Sequence, residues 1–360
     1  MSLPAKLLAG ILPALALTFG TATASAAPAS AIGEDDFQRV VSLGSPAIAP
    51  DGKHAALVVT RISWDENKRL HDLVAVDLAS GTQQSLLVHR TGLSDPAFSP
   101  DGSQIAFLAD DGAAKDSHTQ IYVMPEGGGD ARAVTHGKAD VEQFAWRPDG
   151  HAIAYTAEDP DKVQTGADRF RDCFVFTTEP IVARELPQPA HLFTVSVGDG
   201  TVTQLTAGEQ SVATGEAAST LSWSPDGKSI AFLLVPNAIL NDESYSRVAI
   251  VDVASRIVRT ITGATAWEGD PIFSPDGTHV AYLCAKGDQQ VNLSELCVTT
   301  PQGGPGRPIS APIDRPIEEA TWAADSSSLY AVAPDRATIA LYRIPLDGAP
   351  QRLDTGNVVI

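Results

Sequence analysis

Three cysteines, eight histidines and a recurring aspartate are the side chains in this sequence whose chemistry can be judged from type and spacing. Cys284 and Cys297 stand 13 residues apart at the ends of two β-prone runs, so a hairpin can bring them together as a disulfide. Such a bridge would add about 3 kcal/mol by loop entropy; two buried thiols are the alternative. Cys173 is then left over. His54, His71, His89, His118, His136, His151, His191 and His279 show no His-Glu-x-x-His pattern and no Cys/His spacing for zinc, and several fall in repeat turns where solvent is expected. The recurring aspartates do not follow the twelve-residue calcium loop. No phosphate loop or glycine-rich dinucleotide fingerprint is present, and Glu126-Gly127-Gly128-Gly129-Asp130 reads as a hairpin turn. No metal and no cofactor are expected.

The elements that must position these groups follow from self-comparison. Six segments share one pattern: Ser45-PAIAPDGKHAALVV, Asp95-PAFSPDGSQIAFLA, Gln143-FAWRPDGHAIAYTA, Thr220-LSWSPDGKSIAFLL, Asp270-PIFSPDGTHVAYLC and the degenerate Glu319-ATWAADSSSLYAVA. Their central aspartates, Asp51, Asp101, Asp149, Asp226, Asp276 and Asp325, are spaced by 50, 48, 77, 50 and 49 residues. In the first five, proline presets φ at the second turn position, aspartate bonds back to the turn, and Gly52, Gly102, Gly150, Gly227 or Gly277 takes φ > 0. Each turn joins two short runs of branched and aromatic residues. A second pair follows, as in His191-LFTVSV, the turn Gly198-Asp199-Gly200 and Thr201-VTQLT. Four-stranded units at this period predict an all-β chain folded as a β-propeller of antiparallel blades. A linear solenoid is the rival, and its repeats are generally shorter. Six repeats are visible. Part of a seventh is expected from residues 33–44 together with Asn357-Val358-Val359-Ile360, with a six-bladed ring closed by the N-terminal segment as the alternative.

Composition agrees with many short elements. The 360 residues are 43% hydrophobic, with 29 Gly and 25 Pro dispersed along the chain. A net charge of -19 repels phosphate backbones and anionic headgroups, which excludes nucleic acid and membrane surfaces as expected partners. Residues 1–26 combine Lys6, the apolar run from Leu7 to Leu17 and the closing Ala24-Ser25-Ala26, the pattern of a secretory signal peptide. Residues 27–44 then lead into a propeller over residues 45–360, interrupted by an insertion at about 159–190. A periplasmic or secreted location is expected, with no membrane contact after cleavage.

The run Val41-SLGSPAIAPDGKHAALVV, the loop Trp64-DENKRLHDLVAVDLASG, and Asp95-PAFSPDGSQIAFLAD with Gln120-IYVMPEGGGDARAVT resemble the N-terminal propeller of the prolyl oligopeptidase family. The likeness is to its bacterial dipeptidyl and acylaminoacyl peptidase branch and covers residues 33–360. The Tol-Pal periplasmic propeller protein uses similar repeats, but there a separate α/β domain precedes them, whereas the first repeat here begins within twenty residues of the cleavage site. The resemblance implies a C-terminal α/β-hydrolase domain carrying Ser, Asp and His on a Gly-x-Ser-x-Gly elbow. This chain has no such elbow. The nearest match, Gly227-Lys228-Ser229-Ile230-Ala231, is a repeat turn. The chain is therefore expected to be the non-catalytic propeller of an exported serine peptidase, gating peptides toward a hydrolase domain outside it. A stand-alone periplasmic propeller that binds a protein partner is the alternative. In the dipeptidyl peptidase branch an acidic insertion grips the substrate's free N-terminus, and Glu179 and Glu185 are the nearest candidates here; a solvated loop is the competing reading.

Overall fold

The structure is a computed structural model and describes residues 33–37, 39–112, 117–160, 188–215, 220–238, 245–263, 266–287 and 293–356. The predicted signal peptide, most of the insertion with Cys173, Glu179 and Glu185, and Asn357–Ile360 lie outside these residues.

Six antiparallel sheets follow one another along the chain as the blades of a β-propeller. Blade two is representative: its strands Ser94–Phe98, Gln104–Asp110, Thr119–Pro125 and Arg132–Ala133 run in order from the ring's centre outward. The outermost strands of blades two to six are only two or three residues long, which leaves little free edge for another chain to pair with.

No seventh blade forms among the described residues, which corrects the expectation that residues 33–44 contribute to one. Val41–Leu43 pairs with His54–Ser63 inside blade one, Val41 opposite Arg61 and Leu43 opposite Val59. Ala47–Ile48 pairs further along the same strand, Ala47 opposite Ala56. Gly44-Ser45-Pro46 breaks the inner strand into these two pieces, since proline cannot donate to a ladder. Both pieces are consumed in completing blade one.

Alternate residues of each second strand serve the two neighbouring seams. In blade two, Ile105 and Phe107 pack with Ala56, Val58 and Leu73 of blade one, while Ala106 and Leu108 pack with Ile153, Tyr155 and Val195 of blade three. Ala154, Leu192 and Trp223 join blades three and four, Leu233, Ile250 and Val280 blades four and five, and Ala281, Leu296 and Leu329 blades five and six. A strand buried on both faces needs an unbroken apolar run, hence Ile105-Ala106-Phe107-Leu108-Ala109, all 3% exposed or less. At the junction of blade six with blade one no such cluster occurs among the described residues. The second strand of blade six, Ser328–Asp335, buries Leu329, Ala331 and Ala333 against blade five but leaves Tyr330 and Val332 half-buried on its other side.

Candidate functional site

The Pro-Asp-Gly corners form one face of the ring. At Ser99-Pro100-Asp101-Gly102 the Gly102 N–H donates to the Ser99 carbonyl at 2.8 Å, with Gly102 at φ 75°. The Asp101 carboxylate accepts from the Ser99 hydroxyl at 2.6 Å and the Ser103 N–H at 3.0 Å. Asp276 repeats this with Ser274 at 2.6 Å and Thr278 at 3.0 Å. These hydroxyl and N–H donors favour the ionised form, holding both carboxyls down at about 2. Asp51 and Asp226 are likewise lowered, first by the Lys53 N–H and the Ser224 hydroxyl respectively. Asp149 accepts from the His151 N–H at 3.0 Å and pairs with Arg147 at 2.5 Å. Every one of these carboxylates is engaged by its own turn.

The corners also touch one another around the ring. A Cβ placed on Gly277 would lie 3.3 Å from the Pro225 ring of the preceding blade, and one on Gly102 would lie 3.5 Å from Pro50. In the degenerate sixth turn Ser326 takes the left-handed position, φ 58°, and its hydroxyl accepts the Asp276 N–H at 3.0 Å, so the contact with blade five survives without glycine. Beside the corners, indole N–H groups stitch inner strands together. Trp146 donates to the Ala97 carbonyl, Trp223 to Ala145 and Trp322 to Ile272, each at 3.1 Å.

Side chains that repeat analysis did not single out close the third strands. The hydroxyls of Thr135, Thr206 and Ser310 accept the N–H groups of Ile121, Leu192 and Leu296 at 2.9, 2.8 and 2.7 Å. In blade four the N–H of Val248 is accepted, at 2.8 Å, by the buried Glu268 carboxylate of blade five's inner strand, which also accepts the Thr262 hydroxyl. The sequence signal is an aliphatic residue followed by Thr or Ser after the fourth strands of blades two to five: Val134-Thr135, Leu205-Thr206, Ile261-Thr262 and Ile309-Ser310.

The opposite face carries the loops between second and third strands, including the interrupted loop of blade three. At its root the Asp159 N–H donates to the Pro189 carbonyl at 2.9 Å. His191, only 1% exposed, holds Nε2 at 3.4 Å from the Asp159 carboxylate and Nδ1 at 3.4 Å from the Thr206 hydroxyl. Toward this face these inner strands carry Asp95, Glu142, Glu268, Asp270 and Glu319 and no lysine or arginine. Asp95 and Asp270 sit at bulges in the left-handed region, φ 49° and 42°, each immediately before a proline. Glu142 is raised, chiefly by burial and further by Asp140, while the Gly215 N–H of the next blade opposes the shift.

Ser229 is an ordinary hairpin residue: its N–H donates to the Ser224 hydroxyl at 2.9 Å and its carbonyl accepts the Ser224 N–H at 2.8 Å. No group of three His, Cys, Asp or Glu among the described residues is arranged to hold a metal ion. A cleft between the corners of blades four and five is lined by Asp226, Asp276, Arg259 and Phe273, with both aspartates already bonded within their turns. Cys284 and Cys297 are joined as a disulfide between neighbouring strands of blade five, with Cα atoms 6.0 Å apart.

No family model matches the chain. An uncharacterized peptidase, YuxL of Bacillus subtilis, is 26% identical over 69% of this chain and 30% of its own length. Dipeptidyl-peptidase 5 of Porphyromonas gingivalis is 24% identical over 86% of this chain and 47% of its own. The chain therefore spans less than half the length of these curated relatives. The acylaminoacyl peptidase of Pyrococcus horikoshii superposes with a TM-score of 0.63 at 17% identity, covering 89% of this chain and 47% of that one. The propeller domain of the Trilobed protease from Pyrococcus furiosus, described as having an open velcro topology, gives 0.60 at 15% identity over 89% of this chain and 85% of that one. Among the described residues of this chain, no sheet combines strands from the first and last blades. Its homologues are peptidases, and its six-bladed ring matches the propeller domain of prolyl oligopeptidase-family enzymes.

Proposed function

We propose that this propeller is the non-catalytic part of an exported serine peptidase of the prolyl oligopeptidase type, where it limits which peptides reach a hydrolase domain outside this chain. The observation that carries the reading is the extent of the match: peptidase relatives align along most of this chain, and more than half of each relative's own length lies outside the match. A ring of rigid sheets selects by size, because at five of its junctions the core strands are packed through buried clusters and cannot part without exposing apolar surface. The carboxylates of the inner strands add a preference for peptides bearing an ammonium or basic group. Export follows from the charged start, apolar run and Ala24-Ser25-Ala26 at the N-terminus.

The test is the native gene product. Its mass is expected to exceed 37.7 kDa by a full hydrolase domain, and the extract fraction holding it to release dipeptides or acylated residues from short peptides but not from folded proteins. A native mass at or below 37.7 kDa overturns the reading. For export, the N-terminal residue of the periplasmic protein is expected at or just after Ala27; retention of Met1 in a cytoplasmic fraction overturns it.

A further inference from the structure

Eight Asp-Gly pairs occur in the chain, and this dipeptide is especially open to rearrangement, because glycine has no side chain to keep its own nitrogen from the preceding carboxyl. Six of the eight are locked twice. At Asp51-Gly52, Asp101-Gly102, Asp149-Gly150, Asp226-Gly227 and Asp276-Gly277 the glycine N–H donates to the carbonyl two residues before the aspartate at 2.8 to 2.9 Å, and at Asp199-Gly200 it donates to the Ser196 carbonyl at 2.9 Å. In the same six the aspartate Oδ1 accepts the N–H of the residue after the glycine, at 2.8 to 3.1 Å. One bond holds the nitrogen that would attack, and the other holds the carboxyl it would attack. The Asp101 and Asp276 carboxyls are also held down at about 2, so they stay ionised at neutral pH, and a carboxylate is a poorer electrophile than a carboxylic acid.

Asp347-Gly348 has neither lock. It lies in the turn between the third and fourth strands of blade six, Thr338–Pro345 and Gln351–Arg352. Among the described residues, neither the Gly348 N–H nor the Asp347 carboxylate makes a hydrogen bond. The Asp347 side chain is 97% exposed, and its ion pair with Arg307 of blade five is long, 3.6 Å from Nη1 to Oδ1. The residue before it is anchored: the Leu346 N–H donates to the Ser327 carbonyl at 3.1 Å, and the Leu346 carbonyl accepts from Arg307 at 2.8 Å. Freedom begins at Asp347. The eighth pair, Asp111-Gly112, runs into residues outside the described ones, and its carboxylate accepts the His118 N–H at 2.9 Å.

We propose that Asp347 is a site of spontaneous backbone modification, converting to isoaspartate through a succinimide formed with Gly348. The Gly348 nitrogen attacks Cγ of the protonated Asp347 carboxyl; the N–Cγ bond forms, the Cγ–OH bond breaks, and the hydroxyl leaves as water with the amide proton. Water then adds to the ring. Opening at Cγ returns aspartate, whereas opening at the α-carbonyl leaves the main chain running through Cβ and Cγ and frees an α-carboxylate. The composition is unchanged, and no oxidant or reductant is consumed. The turn gains one methylene in its main chain, next to the Leu346 carbonyl that Arg307 holds.

The experiment ages the intact chain at neutral pH and physiological temperature, labels isoaspartate with S-adenosylmethionine and an isoaspartyl carboxyl methyltransferase, and places the label by peptide mapping. The peptide holding Asp347 is expected to carry roughly tenfold or more label than that of any of the six locked pairs, since these react only after two hydrogen bonds open. Aged in urea, where the locks are gone, the six pairs should rise to within a few-fold of Asp347. Asp347→Glu should remove the label from its peptide. Equal label at Asp347 and the locked pairs in the folded chain, or none at Asp347, overturns the proposal. So does a gap that persists in urea, which would assign the preference to neighbouring sequence instead of the missing bonds.

Discussion

At the scale of single residues, each corner aspartate serves its own turn, and its ionisation is part of the fold. Asp101 and Asp276 titrate at about 2 in the native protein, below the ordinary carboxylate value of 3.8. A depressed native value means the contribution is complete above the unfolded value and is lost as pH falls from about 4 toward 2. The melting temperature is therefore expected to drop through that window, and D101N/D276N to flatten the drop; an unchanged acid profile in the variant would show that other groups dominate. The corner glycines can be separated into backbone and contact effects. Gly81 and Gly277 share φ 71°, but a Cβ on Gly81 meets nothing within 4 Å while one on Gly277 meets Pro225 at 3.3 Å. Gly81→Ala should cost about 1 kcal/mol from left-handed backbone strain alone, and Gly277→Ala measurably more by urea denaturation. Equal losses would mean that the stack of corners yields freely.

At the scale of the element, the seams between blades hold more specificity than the blades themselves. Trp322 gives its indole N–H to the Ile272 carbonyl across the seam of blades five and six. Trp322→Phe keeps most of the apolar contact but leaves that carbonyl unpaired, and should lower stability by about 1–2 kcal/mol. The Cys284–Cys297 bridge staples two strands that also pair through Tyr282–Cys297 and Cys284–Glu295. Reduction should lower stability by about 3 kcal/mol for a loop of this length, read as a shift of the melting curve with and without reductant. A shift indistinguishable from zero would mean that the strand ladder alone fixes the pair. Both effects should stay local, because each seam has its own cluster of side chains.

For the molecule as a whole, among the described residues, five of the ring's junctions are sealed by buried clusters and the junction of blades six and one is not. The half-buried Tyr330 and Val332 on one side, and the exposed Val41 and Leu43 on the other, mark it as the ring's least stable contact. Hydrogen exchange should reach the amides of Val41–Leu43 and Ser328–Asp335 well before those of Gln104–Asp110 or Ser229–Val235. Uniform protection around the ring would mean that this junction is as tight as the rest.

The repeat, its turn chemistry and the four-stranded unit were legible in the chain alone, because proline, aspartate and glycine each have one local reason to stand where they do. The double-faced burial of the second strands was also written there, in unbroken runs such as Ile230-Ala231-Phe232-Leu233. What belonged to the tertiary structure was everything set by a stretch of chain distant in sequence. Pro225 packs against the glycine of the next corner, Thr135 and Ser310 close strands fourteen residues away, and Val41–Leu43 joins blade one instead of opening a seventh. His191 shows the same limit: nothing in its spacing distinguishes it from the histidines in turns, and only the packing of its blade buries it against Asp159. Local preference is a property of a few adjacent residues, whereas a seam exists only once two distant stretches of chain have been brought face to face.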